Sequence, residues 1–193
     1  MLGQKAPYIS ANVSVRQFIE EKFVTNLKHL LHKHRLPGDH LVLEITENVL
    51  MLNDETTRRT IRHLQKVMKV RIAIDDFGTG YSSLAYLKKL AIHRLKIDRT
   101  FICGLPDDEG DSAIVKAVLG MGRALGFSVV AEGVETQEQR LALHTMGCEY
   151  YQGFLCAPAL SAAEFRSRVL GPSAVEQKHQ SKRTPCRSRA AKR

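Results

Sequence analysis

Residues Arg71 to Leu90 read R-I-A-I-D-D-F-G-T-G-Y-S-S-L-A-Y-L-K-K-L, and this stretch decides the fold. An apolar run (Ile72, Ala73, Ile74) ends in two adjacent carboxylates, Asp75 and Asp76. A glycine turn follows, then Ser82-Ser83 opens an amphipathic helix through Leu84, Leu87 and Leu90. The pattern predicts a buried strand, a loop and a helix, with paired charge where the strand emerges. Ionised carboxylates on a buried strand cost several kcal/mol unless a cation meets them. A divalent metal ion is the simplest cation that could serve both.

The same alternation recurs on either side. Tyr8 to Val13 reads as a strand, and Ser14 with Gln17 forms an S-x-x-Q capping box for a helix reaching Pro37-Gly38. That helix is expected to bury Phe18, Phe23, Leu27, Leu30 and Leu31. Leu41 to Glu47 is the next strand, and a helix through Ile61, Leu64 and Met68 leads back to Arg71. Arg94 to Asp98 is the fourth strand, followed by a helix from about Asp111 to Gly126. Ser128 to Glu135 is the fifth, its helix capped by Thr136 and Gln139; Glu149 to Phe154 is the sixth. Ser161 and Glu164 start a last helix through Phe165 and Val169.

Six strand–helix alternations predict a parallel sheet with crossover helices. Each strand exits into a polar or charged residue: Asn12, Glu44, Asp75, Asp98, Glu132 and Gln152. An open doubly wound sheet gathers its ligands at one switch point, whereas a β/α barrel uses every strand end. The expected fold is therefore an α/β barrel of the (β/α) type, with about six of eight strands present.

Composition narrows the function classes. Across 193 residues the apolar fraction is 44% and the charged fraction 25%, as in an ordinary globular domain. No run of 18 or so apolar residues suits a membrane span, and M-L-G-Q-K-A-P lacks a signal-peptide core, so a cytoplasmic, non-membrane protein is expected. The four cysteines form no C-x-x-C pair and no disulfide framework. The net charge is +9, but from Pro172 onward seven basic residues face Glu176 alone. The expected division is thus a domain over residues 1–171 and a basic, disordered tail over 172–193. Nucleic-acid binding is expected at most weakly, through that tail.

Three local patterns carry no function. Asp76-Phe77-Gly78 spells the kinase D-F-G without the Gly-rich or H-R-D loops before it. Gly120, Gly122 and Gly126 lie inside a helix that precedes a strand, the reverse of a dinucleotide fingerprint. His29, His32 and His34 crowd a helix C-terminus, where imidazolium favours the dipole.

Six segments together resemble the EAL family of cyclic di-GMP phosphodiesterases: A-N-V-S-V-R-Q-F, L-E-I-T-E-N, I-A-I-D-D-F-G-T-G-Y-S-S-L, L-K-I-D-R-T-F-I, V-V-A-E-G-V-E-T and Y-Y-Q-G-F, from about Tyr8 to Leu170. The resemblance implies a barrel that hydrolyses cyclic di-GMP to linear pGpG with two Mg²⁺ or Mn²⁺ ions, in bacterial signalling. By motif, Asn12, Glu44 and Asp75 resemble ligands of one ion; Asp75 would bridge to a second, completed by Asp76 and Glu132. Lys96 resembles the family's catalytic lysine, and Asp98 a nearby partner of metal-bound water. Glu47 is similar to the acid that holds a loop over the site, and Glu135 and Gln152 to supporting residues. The all-oxygen donor set suits Mg²⁺ or Mn²⁺ rather than zinc. The family often pairs through barrel helices, so a homodimer is implied.

The sequence departs from the family at two places. No E-A-L tripeptide occurs, so the expectation is an N-terminally truncated barrel lacking its first two strands, with weak or no activity alone. The other is Cys156 to Leu160, C-A-P-A-L, where the family has a basic residue before the proline. A catalytically impaired binding or interaction module, or a non-functional remnant, is the alternative.

Overall fold

The strands are amphipathic, and the alternation sets the architecture. The computed structural model describes residues 8–52, 55–78, 87, 90 and 92–170. It contains β1 (Ile9–Val13), β2 (Leu41–Thr46), β3 (Arg71–Phe77), β4 (Arg94–Ile97), β5 (Ser128–Ala131) and β6 (Tyr150–Tyr151). These strands pair in chain order, all in parallel, as one sheet. Successive side chains on a strand point to opposite faces. Leu43, Ile45, Ile72, Ile74, Leu95, Ile97 and Ala131 share one face and are buried. They pack with Ile61, Leu64, Val115, Val118, Leu119 and Leu143 from the helices in a single core.

The other face carries Asn12, Glu44, Asp75 and Lys96, and it is concave. In a flat sheet β2 and β4 would stand about 10 Å apart, and β1 and β4 about 14 Å. Yet Lys96 Nζ on β4 lies 2.6 Å from Glu44 Oε2 on β2. Arg94 Nη1 at the start of β4 donates to Tyr8 Oη, just before β1, at 2.7 Å. Both contacts require the sheet to curl around this face. The partial parallel barrel expected from the alternation is the architecture observed.

The helices follow local signals. The Ser14–Gln17, Thr136–Gln139 and Ser161–Glu164 capping boxes all form. They start α1 (Val15–Phe18), α7 (Gln137–Thr145) and α8 (Ala162–Phe165). Between them lie α2 (Phe23–Lys33), α3 (Glu47–Met51), α4 (Glu55–Lys66), α5 (Thr100–Cys103) and α6 (Glu109–Leu125). Asp108 caps α6, and Gly126 ends it in the left-handed conformation at φ 78°. A Cβ at Gly122 would come within 2.4 Å of Val129 Cγ2, so this glycine lets α6 lie against β5.

The expected single helix from Ser14 to Pro37 is instead two. Phe18 and Phe23, five residues apart, would diverge by about 140° on one continuous helix. The break over Ile19–Lys22 brings their rings to 5.8 Å. Leu30, expected to be buried, is exposed, whereas Leu27 and Leu31 are half-buried. The sixth strand is also shorter than expected, with only Tyr150 and Tyr151 paired. Phe165, on the last helix, is exposed.

The chain divides into two compact units, the first ending at Cys156 and the second beginning at Ala157. The barrel strands all belong to the first; α8 belongs to the second. The expected helix start at Ser82-Ser83 and the basic stretch from Pro172 lie outside the described residues, although Leu87 and Leu90 are buried. No helix among the described residues is long and apolar enough to cross a membrane.

Leu64 is fully buried where α4 meets the sheet. Leu64→Ala is expected to lower unfolding stability by about 3 kcal/mol in urea titration, the range for a core leucine cavity. A loss below about 0.5 kcal/mol would contradict this packing.

Candidate functional site

Parallel strands that exit at the same end of a curled sheet bring their last inward side chains together. Asn12 stands opposite Glu44 in the β1–β2 register, and Thr46 opposite Asp75 in the β2–β3 register. Lys96 projects between these strands from β4. Its ammonium contacts Glu44 Oε2 at 2.6 Å, Asp75 Oδ1 at 2.7 Å and Glu132 Oε1 at 2.5 Å. Only 5% of the Lys96 side chain is exposed. Burial works against its charge, but hydrogen bonds to the three carboxylates outweigh that and raise its pKa above the ordinary lysine value.

Strict alternation would send Asp75 and Asp76 to opposite faces. A β-bulge overrides it. Ile74 pairs with Leu95 and Phe77 with Ile97, so Asp75 and Asp76 together oppose Lys96 alone. Asp76 adopts the left-handed conformation at φ 52°, which aspartate tolerates better than most residues. As a result, ligand oxygens of Asp75, Asp76 and Glu132 lie within 4.8 Å of one another.

Asp76 and Asp98 share a hydrogen bond and titrate in opposite directions. Burial, then the charges of Asp75 and Asp98, raise the Asp76 pKa; Lys96 opposes this. Burial also works against Asp98, but hydrogen bonds from Thr100 and Asp76 hold it below the usual carboxylate range. Asp98 Oδ1 accepts from the Thr100 N–H at 2.8 Å.

The outlying residues stand at different distances from this centre. Gln152 Nε2 donates to Glu132 Oε1 at 2.6 Å and so fixes that carboxylate from the far side. Glu47 is buried at the start of α3, and its Oε1 accepts from the Gly78 N–H at 3.1 Å. It therefore anchors the chain just past the Asp75-Asp76 bulge. Glu135 is exposed; its backbone N–H donates to Gln139 Oε1 at 2.9 Å in the α7 cap. Among the described residues, no contact ties the Glu135 side chain to the carboxylate cluster.

The donors fit a divalent ion. All are oxygens, from one amide and several carboxylates, which suits hard cations. The Asn12 amide is informative. Turned one way, its NH₂ donates to Glu44 Oε2 at 3.1 Å and Asp75 Oδ2 at 3.3 Å; turned the other way, its oxygen faces those same acceptors.

The sequence reading missed a second ring at the opposite, N-terminal end of the concave face. The Arg94 guanidinium lies over the Tyr8 and Tyr150 rings, at 5.1 and 5.7 Å, and Arg94 Nε donates to Ser128 Oγ at 3.2 Å. The available signal was the inward parity of Arg94 with Lys96, two residues on.

Lys96→Met removes the buried cation and leaves its carboxylates unpaired. In chelator the variant is expected to lose about 3–5 kcal/mol of stability in denaturant titration, and added Mn²⁺ to recover a large part of it. Burial also pushes the Glu132 pKa up to about 7, with the charges of Asp75 and Glu44 adding to the rise and Lys96 opposing it. A folded-state pKa raised above the unfolded value stabilises the protein at low pH, an effect lost as pH rises through about 7. In chelator, stability should therefore fall between pH 4.5 and about 7, and Glu132→Gln should flatten that slope.

Comparison with known proteins places this geometry. The EAL domain family matches residues 2–159. Over 161 residues the chain is 43% identical to MucR of Pseudomonas aeruginosa, a bifunctional diguanylate cyclase/cyclic di-GMP phosphodiesterase; this covers 83% of the chain and 23% of MucR. The chain spans about a quarter or less of the length of the first curated relatives it matches. The solved PaMucR phosphodiesterase–c-di-GMP complex superimposes with a TM-score of 0.78 at 43% identity, over 82% of this chain and 64% of that one. The EAL domain of Mycobacterium smegmatis DcpA gives 0.77 at 42% identity, over 83% and 71%. Klebsiella pneumoniae BlrP1, solved as a manganese/cy-diGMP complex, gives 0.68 at 30% identity, over 77% and 38%. The strand order, the convergent carboxylates and these likenesses agree: the chain belongs to the EAL domain family.

Proposed function

We propose that this chain forms the metal-dependent phosphodiesterase site of a signalling protein, hydrolysing cyclic di-GMP to linear pGpG with Mg²⁺ or Mn²⁺. The observation that carries the reading is the convergence of Glu44, Asp75 and Glu132 on Lys96, with Asp76 brought to the same face by the bulge. Support also comes from relatives whose names state this activity and from neighbours solved with cyclic di-GMP.

Asn12, Glu44 and Asp75 would hold one ion, and Asp75, Asp76 and Glu132 a second. When bound, such a pair lowers the pKa of a water and stabilises the attacking and leaving oxygens of an in-line displacement. The chain's own groups do the rest. Lys96 supplies a compact positive charge to the non-bridging phosphate oxygens once the ions take over its carboxylates. Asp98, hydrogen-bonded to the Thr100 N–H, stands near the site as a carboxylate that would take the proton of the attacking water. Gln152 keeps Glu132 turned inward, and Glu47 fixes the backbone at Gly78 beside the bulge.

The test is turnover of cyclic di-GMP by the purified chain with Mn²⁺, products separated by chromatography. Slow formation of linear dinucleotide, lost in EDTA, is the expected result for a chain without the E-A-L segment. Asp75→Asn removes a ligand shared by both ions and should lower the rate by at least about a hundredfold. Unchanged turnover in that variant would sink the metal assignment. Binding of cyclic di-GMP without product, by folded chain, would mean that the site acts as a receptor.

A further inference from the structure

We infer that the end of the barrel opposite the carboxylates contains a second site, which binds a phosphate group through Lys69 and Arg71. A hollow of about 450 Å³ opens at the N-terminal ends of β2, β3 and β4. Its walls are the Pro37–Asp39 turn, the α4 exit at Gln65, Met68 and Lys69, and Arg71 and His93 at the feet of β3 and β4. Arg71 and Asp75 are four residues apart on one strand, so the hollow lies about 13 Å along β3 from the carboxylate cluster. It is a separate place on the molecule.

Three observations point to an anion. First, the cations there lack carboxylate partners. Among the described residues neither Lys69 nor Arg71 forms an ion pair, and Arg71, which is half-buried, touches only the face of Tyr8, at 5.8 Å. Asp39, the one acid in the lining, pairs with neither. Leaving a partly buried guanidinium uncompensated is unfavourable, and an oxyanion compensates it with two parallel hydrogen bonds.

Second, Lys69 occupies a backbone position at which glycine would be less strained. It has φ 60°, and the chain turns through it so that the Val70 N–H reaches Leu64 O at 2.9 Å. Glycine takes such helix exits without steric cost; a lysine there gives up stability and gains a charged arm. Third, the approach is positively charged. From Glu55 to Arg71 the sequence has six arginines and lysines against one acid. Arg59, Arg62 and Lys66 recur along the exposed side of α4 toward Lys69, while Glu55 is engaged near the helix start by Arg58, Arg59 and Arg62. Such a stripe raises the local concentration of anions.

The wall is also firm. A Cβ at Gly38 would meet Met68 O at 1.8 Å, so the Pro37–Asp39 turn rests directly on the α4 exit. The volume exceeds what a bare phosphate ion fills and suits a phosphate monoester of nucleotide size. The shared chemistry is a dianionic phosphate group, either free or at the end of a small organic molecule.

Thermal unfolding in EDTA at constant ionic strength tests this, because without metal the carboxylate end repels anions. Inorganic phosphate, GMP and guanosine are the probes. GMP is expected to raise the midpoint by about 2 °C or more at ten-millimolar concentration, whereas guanosine does not. An equal rise with inorganic phosphate would show that the phosphate group alone suffices; a rise with GMP only would identify a monoester site. Lys69→Gly should keep or raise the unliganded midpoint and lose at least half of the phosphate response. Arg71→Gln, checked for folding by circular dichroism, should abolish it. No rise with either phosphate probe, or a full response retained in Lys69→Gly and in folded Arg71→Gln, would overturn the inference.

Discussion

One ammonium group organises the acidic end of this barrel. Lys96 meets carboxylates from β2, from β3 and from the residue just past β5, so three segments far apart in sequence share one charge. The contact is possible only because the sheet curls, and once made it opposes flattening of that curl. Glu44, Asp75, Asp76, Asp98 and Glu132 stand around a single lysine, so the cluster retains excess negative charge. Burial and the neighbouring carboxylate charges push the Asp76 and Glu132 pKa values up, the direction that excess negative charge produces. A site left so short of positive charge is poised for divalent cations.

The β-bulge is the second requirement. A regular β3 would place Asp76 among the outer-face side chains, where Ile72 and Ile74 are fully buried. The bulge turns it inward at the cost of a left-handed aspartate, on the order of 1 kcal/mol of strain. The gain is three ligand oxygens, two from β3 and one from the residue just past β5, within 4.8 Å. Glu47, reaching from α3 to the Gly78 N–H, holds the strand directly beyond this distortion. Strain and brace lie together.

Much of this was legible in the sequence because local rules agreed with the global fold. Three capping boxes start helices where expected, and Gly126 ends α6 in the expected conformation. Polar residues at the strand exits announced a shared functional face, and Asn12, Glu44, Asp75, Lys96 and Glu132 converge on it. What sequence could not show depended on tertiary context. Nothing local in D-D-F-G distinguishes a bulge from a simple turn. The break between α1 and α2 serves the Phe18–Phe23 contact, which a continuous helical pattern conceals. Glu135 lies near Glu132 in the chain, yet it is carried outward by the start of the α7 cap. The chain turns at Gly133, whose φ is 68°, between the two.

The inward parity that gathers acids at one end of the strands gathers bases at the other. Arg71 and Asp75 are inward on β3, and Arg94 and Lys96 on β4, so each strand carries charge along its concave side. At the acidic end, Lys96 is held by three carboxylates. At the basic end, Arg94 is spent on Tyr8, Tyr150 and Ser128, whereas Arg71 and Lys69 line a hollow without an acid bound to them among the described residues. The two ends thus have opposite needs. One gathers excess negative charge, the other excess positive charge, and β3 joins them. A phosphate bound at the basic end would lower the repulsion among Lys69, Arg71 and Arg94 without contacting the carboxylates. The two sites could then be occupied independently, which is what their separation along a single strand allows.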